Sequence, residues 1–248
     1  MIGIVGGIGP MAGADLYKKI VENTVAHRDQ DHLSVLLASF PQLIADRTDY
    51  LLGKSNESPA NALAEVILLL ENAGSKYIGI ACNTAHAPQI FDPMMKTLMD
   101  KGSKAEILHL IEHTTAFIKA QEQAFERIGL LCTLGSYKTN LYQNRLRNAS
   151  LTPVVLDIKR HNELAQVPIY HPDYGLKCIS EGHPEAIIKL NTAIAELQAL
   201  GAEAVILGCT EIGMVEEQLD FHGMAAFNPN TILARELIRR VAPEKLKP

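Results

Sequence analysis

The sequence predicts an α/β protein built of two similar parallel-sheet domains, related by a pseudo-two-fold axis with the site in the cleft between them. Three observations carry that expectation. Short apolar runs alternate with longer amphipathic segments along the chain. The runs number eight, enough for two four-stranded sheets. Part of the first half recurs in the second half at a nearly constant offset. Length and composition agree: 248 residues, 47% hydrophobic and 21% charged, suit one large or two small globular domains.

Taken in order, the expected strands are Ile2–Gly6, 33–39, 76–81, 106–110, Arg127–Cys132, 153–157, 203–207 and 224–227. Each is short, aliphatic and bounded by turn residues. Helix periodicity fills the intervals, with helices expected over 59–73, 112–124, 184–200 and Pro229–Val241. Ser58-Pro59 and Asn228-Pro229 read as N-caps followed by proline at the first helical position.

The repeat is carried by two matches. Ala73-Gly74-Ser75-Lys76-Tyr77-Ile78-Gly79-Ile80-Ala81-Cys82-Asn83-Thr84 parallels Leu200-Gly201-Ala202-Glu203-Ala204-Val205-Ile206-Leu207-Gly208-Cys209-Thr210-Glu211. In both, a helix ends at glycine, a strand follows, and cysteine stands eight residues beyond the glycine; the cysteines are 127 residues apart. Ile2-Gly3-Ile4-Val5-Gly6-Gly7-Ile8-Gly9 parallels Ile128-Gly129-Leu130-Leu131-Cys132-Thr133-Leu134-Gly135 at an offset of 126. A looser match pairs the strands before Glu112 and before Asn228. The division expected is 1–111 plus about 225–248 for the first domain, and about 112–224 for the second.

Composition narrows function. With 23 basic and 28 acidic residues, a net charge of -5 and no Lys/Arg cluster, a nucleic-acid or anionic-membrane partner is not expected. No apolar run approaches the roughly 20 residues of a membrane span. The start lacks a basic n-region, so a cytoplasmic protein is expected. In a chain of this size without a secretion signal, paired disulfides among the four cysteines are not expected, and with no Cys-x-x-Cys pair neither is a metal site.

Ligands of open parallel sheets bind beyond the carboxyl ends of the strands. Cys82 and Cys209 stand there, each ahead of a helix start whose amides favour a thiolate. A lone cysteine is more often an apolar filler; two at matched repeat positions favour a shared catalytic role. Cys132 and Cys178 lack that symmetry and read as filler. Two opposed thiols, one starting as thiolate, suit deprotonation at one face of a carbon and reprotonation at the other, as in inversion at Cα of an amino acid. Such chemistry requires no cofactor in principle.

Gly6-Gly7-Ile8-Gly9-Pro10, Asp46-Arg47-Thr48, Cys82-Asn83-Thr84-Ala85-His86 and Gly208-Cys209-Thr210-Glu211-Ile212 resemble the aspartate/glutamate racemase family, in order and over nearly the whole chain. Glutamate racemases of that family carry His at the position of Glu211, which favours the aspartate branch. The resemblance implies a cofactor-independent homodimer acting on a small dicarboxylic amino acid, with Cys82 and Cys209 as the thiolate/thiol pair. Some members replace the first cysteine with Thr; this chain keeps both.

By the same resemblance Arg47 holds a substrate carboxylate, a task suited to its planar fork, and Lys177 supplies a second cation. Otherwise each is a solvated surface charge. Asn83, Thr84 and Thr210 cap helix starts, contact substrate, or do both. Thr133 stands at the strand end that matches Gly6-Gly7 and is a candidate substrate contact. Glu211 orients Cys209, accepts the substrate ammonium, or caps a helix. His86, one turn into a helix, is expected to be structural. The glycine run is not a G-x-G-x-x-G fingerprint and suits close backbone approach to a small anion. Met11-Ala12-Gly13 departs from the family, which commonly has Thr near Gly13. Alternatives on the same residues are a one-thiol isomerase or decarboxylase of a dicarboxylate, and a non-catalytic two-lobed anion-binding protein.

Overall fold

Ile2–Gly6 (β1) is buried at every position, as a strand coated by helices on both faces must be. In the computed structural model, which describes residues 1–248, β1 pairs in parallel with Val35–Ser39 (β2) and with Tyr77–Ile80 (β3). Glu106–Leu108 (β4) closes the sheet beside β3. The order is β2-β1-β3-β4. The second sheet repeats it with Arg127–Cys132 (β5), Thr152–Val154 (β6), Ala204–Gly208 (β7) and Ala225–Phe227 (β8), all parallel, in the order β6-β5-β7-β8. The internal repeat is thus a repeat of topology.

The helices are α1 (Pro10–Asn23), α2 (Arg47–Leu51), α3 (Ala60–Asn72), α4 (Pro88–Asp100), α5 (Leu110–Lys119), α6 (Leu134–Lys138) and α7 (Leu141–Asn148). They continue with α8 (Ile158–His161), α9 (Val167–Tyr170), α10 (Pro184–Ala199), α11 (Thr210–Met214) and α12 (Pro229–Val241). One turn of π-helix, Asn162–Gln166, joins α8 to α9. In α3, Leu63, Ala64, Ile67 and Leu70 are buried at helical spacing, the stripe that seats it on the first sheet. Its start departs from the expected cap. The helix begins at Ala60, Pro59 holds the N-cap position, and the Ser58 hydroxyl accepts from the Ala60 amide. No helix is long and apolar enough to cross a membrane.

The chain divides into two units, residues 1–113 with 230–248, and residues 114–229. The expected division assigned residues from about 225 to the first domain. Strand β8 instead takes its ladder from β7 and belongs to the second sheet. The return to the first unit comes within α12, whose Leu233 and Leu237 pack against Gly79 of β3. In the second unit α10 supplies the matching cover: Ala186, Leu190, Ala193, Ile194 and Leu197 join Leu131, Val205 and Leu207 in one core.

The turn after β1 depends on backbone that only glycine adopts freely. Gly7 has φ +78, and a Cβ there would lie 2.5 Å from the Phe40 amide nitrogen. Gly6 and Gly13 let α1 approach its strand, a Cβ on Gly13 falling 2.9 Å from the Gly6 Cα.

Candidate active site

In each sheet the chain order reverses between the two central strands, β1 and β3 in one, β5 and β7 in the other. The crevice outside the carboxyl ends of such a strand pair is where open parallel sheets bind ligands. In the first unit those ends carry the glycine run and Cys82. In the second they carry Thr133 and Cys209. Register fixes the neighbours. Val5 pairs with Ile80 and its carbonyl accepts from Ala81 one residue before Cys82; Cys132 pairs with Gly208 one residue before Cys209.

Cys82 is 7% exposed and leads into a 3₁₀ turn, Thr84–His86. The His86 ring holds that turn: Nδ1 lies 2.8 Å from the Cys82 carbonyl oxygen, so the proton is assigned to Nδ1. Burial, reinforced by neighbouring His109, pushes the imidazole down to about 3. His86 is therefore neutral and structural, packed against Phe91 and His109. Asn83 and Thr84 are buried beside it.

Arg47 begins α2, which Asp46 caps by accepting from the Asp49 amide at 2.9 Å. Its guanidinium is buried, not solvated. Nη2 donates to the Ile8 carbonyl at the glycine turn and Nη1 to the Ala45 carbonyl. Helix α2 lies against the Thr84–His86 turn, so the glycine turn, Arg47 and the Cys82–Thr84 segment are brought together within the first unit.

In the second unit Thr133 caps α6 and accepts from the Ser136 amide. Cys209 is the N-cap residue of α11, and its carbonyl accepts from the Ile212 and Gly213 amides. Its thiol donates to Glu211 Oε2 at 3.0 Å. The Thr210 hydroxyl donates to the same oxygen at 3.0 Å, and Lys177 Nζ donates to Oε1 at 2.7 Å. The ammonium also lies 5.1 Å above the Tyr170 ring.

The charges of this cluster are coupled. Burial alone would lift the Glu211 carboxyl, but Lys177 and the Cys209 thiol outweigh it and hold it down to about 2. Burial opposes the Lys177 ammonium, and the Glu211 carboxylate overcomes that and raises it. Burial and the Glu211 carboxylate push the Cys209 thiol well above its ordinary value. That direction is opposite to the thiolate expected from a helix start: burial of the thiol, together with a full carboxylate at 3.0 Å, outweighs the few amides of the five-residue α11.

The remaining expectations divide. Lys177 lies in a turn and is not a solvated surface charge: its ammonium is joined to Glu211. Cys132 is buried filler, with burial raising its thiol. Cys178 is exposed, which contradicts the filler reading; its backbone lies in a turn outside the core. Tyr170 and Asn228 were not singled out for the site. The Asn228 amide donates to the Gly213 carbonyl at 2.9 Å and to Glu216 at 2.8 Å, buttressing α11. No group of three His, Cys, Asp or Glu side chains is placed to hold a metal ion.

Comparison with known proteins decides the lineage. Residues 5–237 match the Asp/Glu/hydantoin racemase family. The chain belongs to that family. Among solved structures it is similar to an aspartate racemase of Picrophilus torridus, with 26% identity and a TM-score of 0.76 over 96% of this chain and 93% of that one. An aspartate racemase homologue from Pyrococcus horikoshii shares the fold at 21% identity and a TM-score of 0.69, over 96% and 97% of the two chains. A glutamate racemase of Francisella tularensis, solved with D-glutamate, shares it at 16% identity and a TM-score of 0.64, over 100% and 82%. The two four-stranded parallel sheets are the two-domain α/β architecture of these racemases. Family membership and these neighbours support an isomerase of the amino-acid racemase class.

Proposed function

We propose that this racemase-family protein interconverts L- and D-aspartate without a cofactor, using Cys82 and Cys209 as the two proton carriers. The observation that carries the reading is their equivalence: each follows the same central strand of two copies of one sheet, at the point where strand order reverses. Racemisation needs one group to remove the Cα proton and another to return a proton to the opposite face. One cysteine acts as thiolate and breaks the Cα–H bond; the other, as thiol, forms the new one. The carbanion between these steps is delocalised into the α-carboxylate. Arg47, fixed by the Ile8 and Ala45 carbonyls, is assigned to that carboxylate, with Asn83, Thr84, Thr133 and Thr210 as further contacts.

Incubation of the purified, reduced protein with L-aspartate in deuterium oxide, without added cofactor, tests this reading. The expected result is loss of the Cα proton signal together with appearance of D-aspartate by chiral chromatography. The same run with glutamate reads substrate preference. Absence of exchange with both substrates overturns the reading, as does release of carbon dioxide in place of mass-conserving inversion.

A further inference from the structure

The two thiols of a two-base racemase must differ in protonation before substrate arrives, and the second unit contains what sets that difference. The Cys209 thiol donates to Glu211 Oε2 at 3.0 Å while Lys177 Nζ sits 2.7 Å from Oε1. All three groups are buried or nearly so, with side-chain exposures of 23% for Lys177 and 6% for Glu211. A carboxylate oxygen accepts, so the hydrogen on this contact belongs to sulfur. The cation that would otherwise draw Cys209 toward thiolate is engaged by the same carboxylate.

Resting on the racemase reading, we propose that Glu211, paired with Lys177, keeps Cys209 as the thiol of the resting enzyme. Cys209 is then the proton donor, and Lys177 serves as the counter-ion of Glu211 in the resting enzyme. Glu211 and Lys177 act through Cys209 and are positioning residues. The other titratable groups facing the cluster are Tyr170, whose ring lies under the ammonium, and Tyr142 on α7, which interacts with Cys209. Burial keeps the Tyr142 phenol protonated, so it adds no charge. The proton balance closes. Cys82 thiolate takes the Cα proton of the first enantiomer; the Cys209 S–H bond breaks as the new Cα–H bond forms. To restore the resting state Cys82 releases its proton to solvent and the Cys209 thiolate takes one up, its S–H again donating to Glu211.

The test reads thiolate absorbance in the ultraviolet against pH, for the unmodified protein and for Cys209→Ser; their difference isolates Cys209. The expected difference is silent through neutral pH and up to about pH 9, the upper range of an ordinary thiol. In Glu211→Gln, read against the same variant with Cys209→Ser, the signal moves down by about one pH unit or more, since the carboxylate is gone and Lys177 is released. The alkaline limb of the racemisation profile moves down with it. Lys177→Arg, which retains the charge, restores the unmodified curve. Lys177→Met lowers kcat and alters its pH profile.

A Cys209 thiolate at neutral pH in the unmodified protein overturns the proposal. So does an unshifted curve in Glu211→Gln, or a Lys177→Met variant that raises KM alone. If Glu211→Gln does not fold, the comparison of unmodified protein with Cys209→Ser still decides. The absorbance needs no turnover: a silent Cys209 in a protein that does not racemise rejects the racemase reading alone, and an ionised Cys209 in an active enzyme rejects this inference alone.

Discussion

The segments Asn83-Thr84-Ala85-His86 and Thr210-Glu211-Ile212-Gly213 occupy the same place in two copies of one sheet, yet they hold their cysteines by different means. At Cys82 a neutral imidazole holds the backbone, through the carbonyl oxygen. At Cys209 an ionised carboxylate holds the side chain, through sulfur. The divergence follows residue by residue. Thr84 corresponds to Glu211, so one copy has a hydroxyl where the other has a charge. His86 corresponds to Gly213, and the space that glycine leaves is filled by the Asn228 amide. The repeated topology sets where the thiols stand, and the residues that differ between the copies set the electrostatics around each.

The largest expected effect breaks the pairing of the two copies. Cys82→Ser and Cys209→Ser should each lower racemisation by about 10²–10⁴-fold, the contribution of a positioned acid or base, with circular dichroism unchanged. Activity retained in either variant excludes the two-thiol mechanism. Arg47→Lys keeps the charge in the first copy but loses the fork. It should lower kcat/KM for aspartate by roughly ten- to a hundredfold, the worth of a charge-assisted hydrogen bond. An unchanged kcat/KM would remove Arg47 from the site.

Stability against pH sharpens the same comparison. Each sheet contains one buried neutral histidine bonded to the carbonyl of a strand-end cysteine, His86 to Cys82 and His161 to Cys132. Burial, aided at His86 by His109, holds the first at about 3; burial holds the second at about 4, against an ordinary 6.5. Above about pH 6.5 both are neutral, folded or unfolded, and their stability is fully present. As pH falls below that, the unfolded chain binds protons that the folded chain does not, and stability is lost down toward pH 3 to 4. By pH 4 the loss should be on the order of 3 kcal/mol at most for each histidine. Urea midpoints measured across this range should fall, and His86→Gln should flatten part of the slope. A flat profile would mean that these histidines are charged in the folded protein.

The smallest effect concerns Gly213. A Cβ there would lie 2.8 Å from the Asn228 side-chain amide, so Gly213→Ala should cost about 1–3 kcal/mol by crowding a packed site. Asn228→Ala in the same background should recover part of it in chemical denaturation. No recovery would show that the strain lies elsewhere.

The repeat was legible because its two halves preserve apolar runs and glycine positions, and those dictate strand order. The boundary was harder to read. Residues 224–227 are apolar and β-prone whichever sheet they join, and only their ladder with β7 assigns them. Cys82 and Cys209 could be found by their offset, and Arg47 by its motif. The Lys177–Glu211 pair could not: its partners are 34 residues apart, separated by α10 and β7, and Lys177 lies in an irregular turn with no periodicity to extrapolate. Exposure of Cys178 was hidden for a related reason, since a short irregular segment has no burial pattern to read.

Gly7 has a consequence for how alike the two copies can become. Its counterpart is Thr133, whose hydroxyl caps α6, yet the first copy cannot acquire a hydroxyl at that place. Any Cβ would strike the Phe40 backbone, and φ +78 disfavours every other residue type. L- and D-aspartate have equal energies in water, and on the proposed reading this protein converts one into the other with dissimilar halves. Surface residues can be exchanged between the copies at little cost, but at this position any side chain would strain the backbone, and the asymmetry is built into the turn itself.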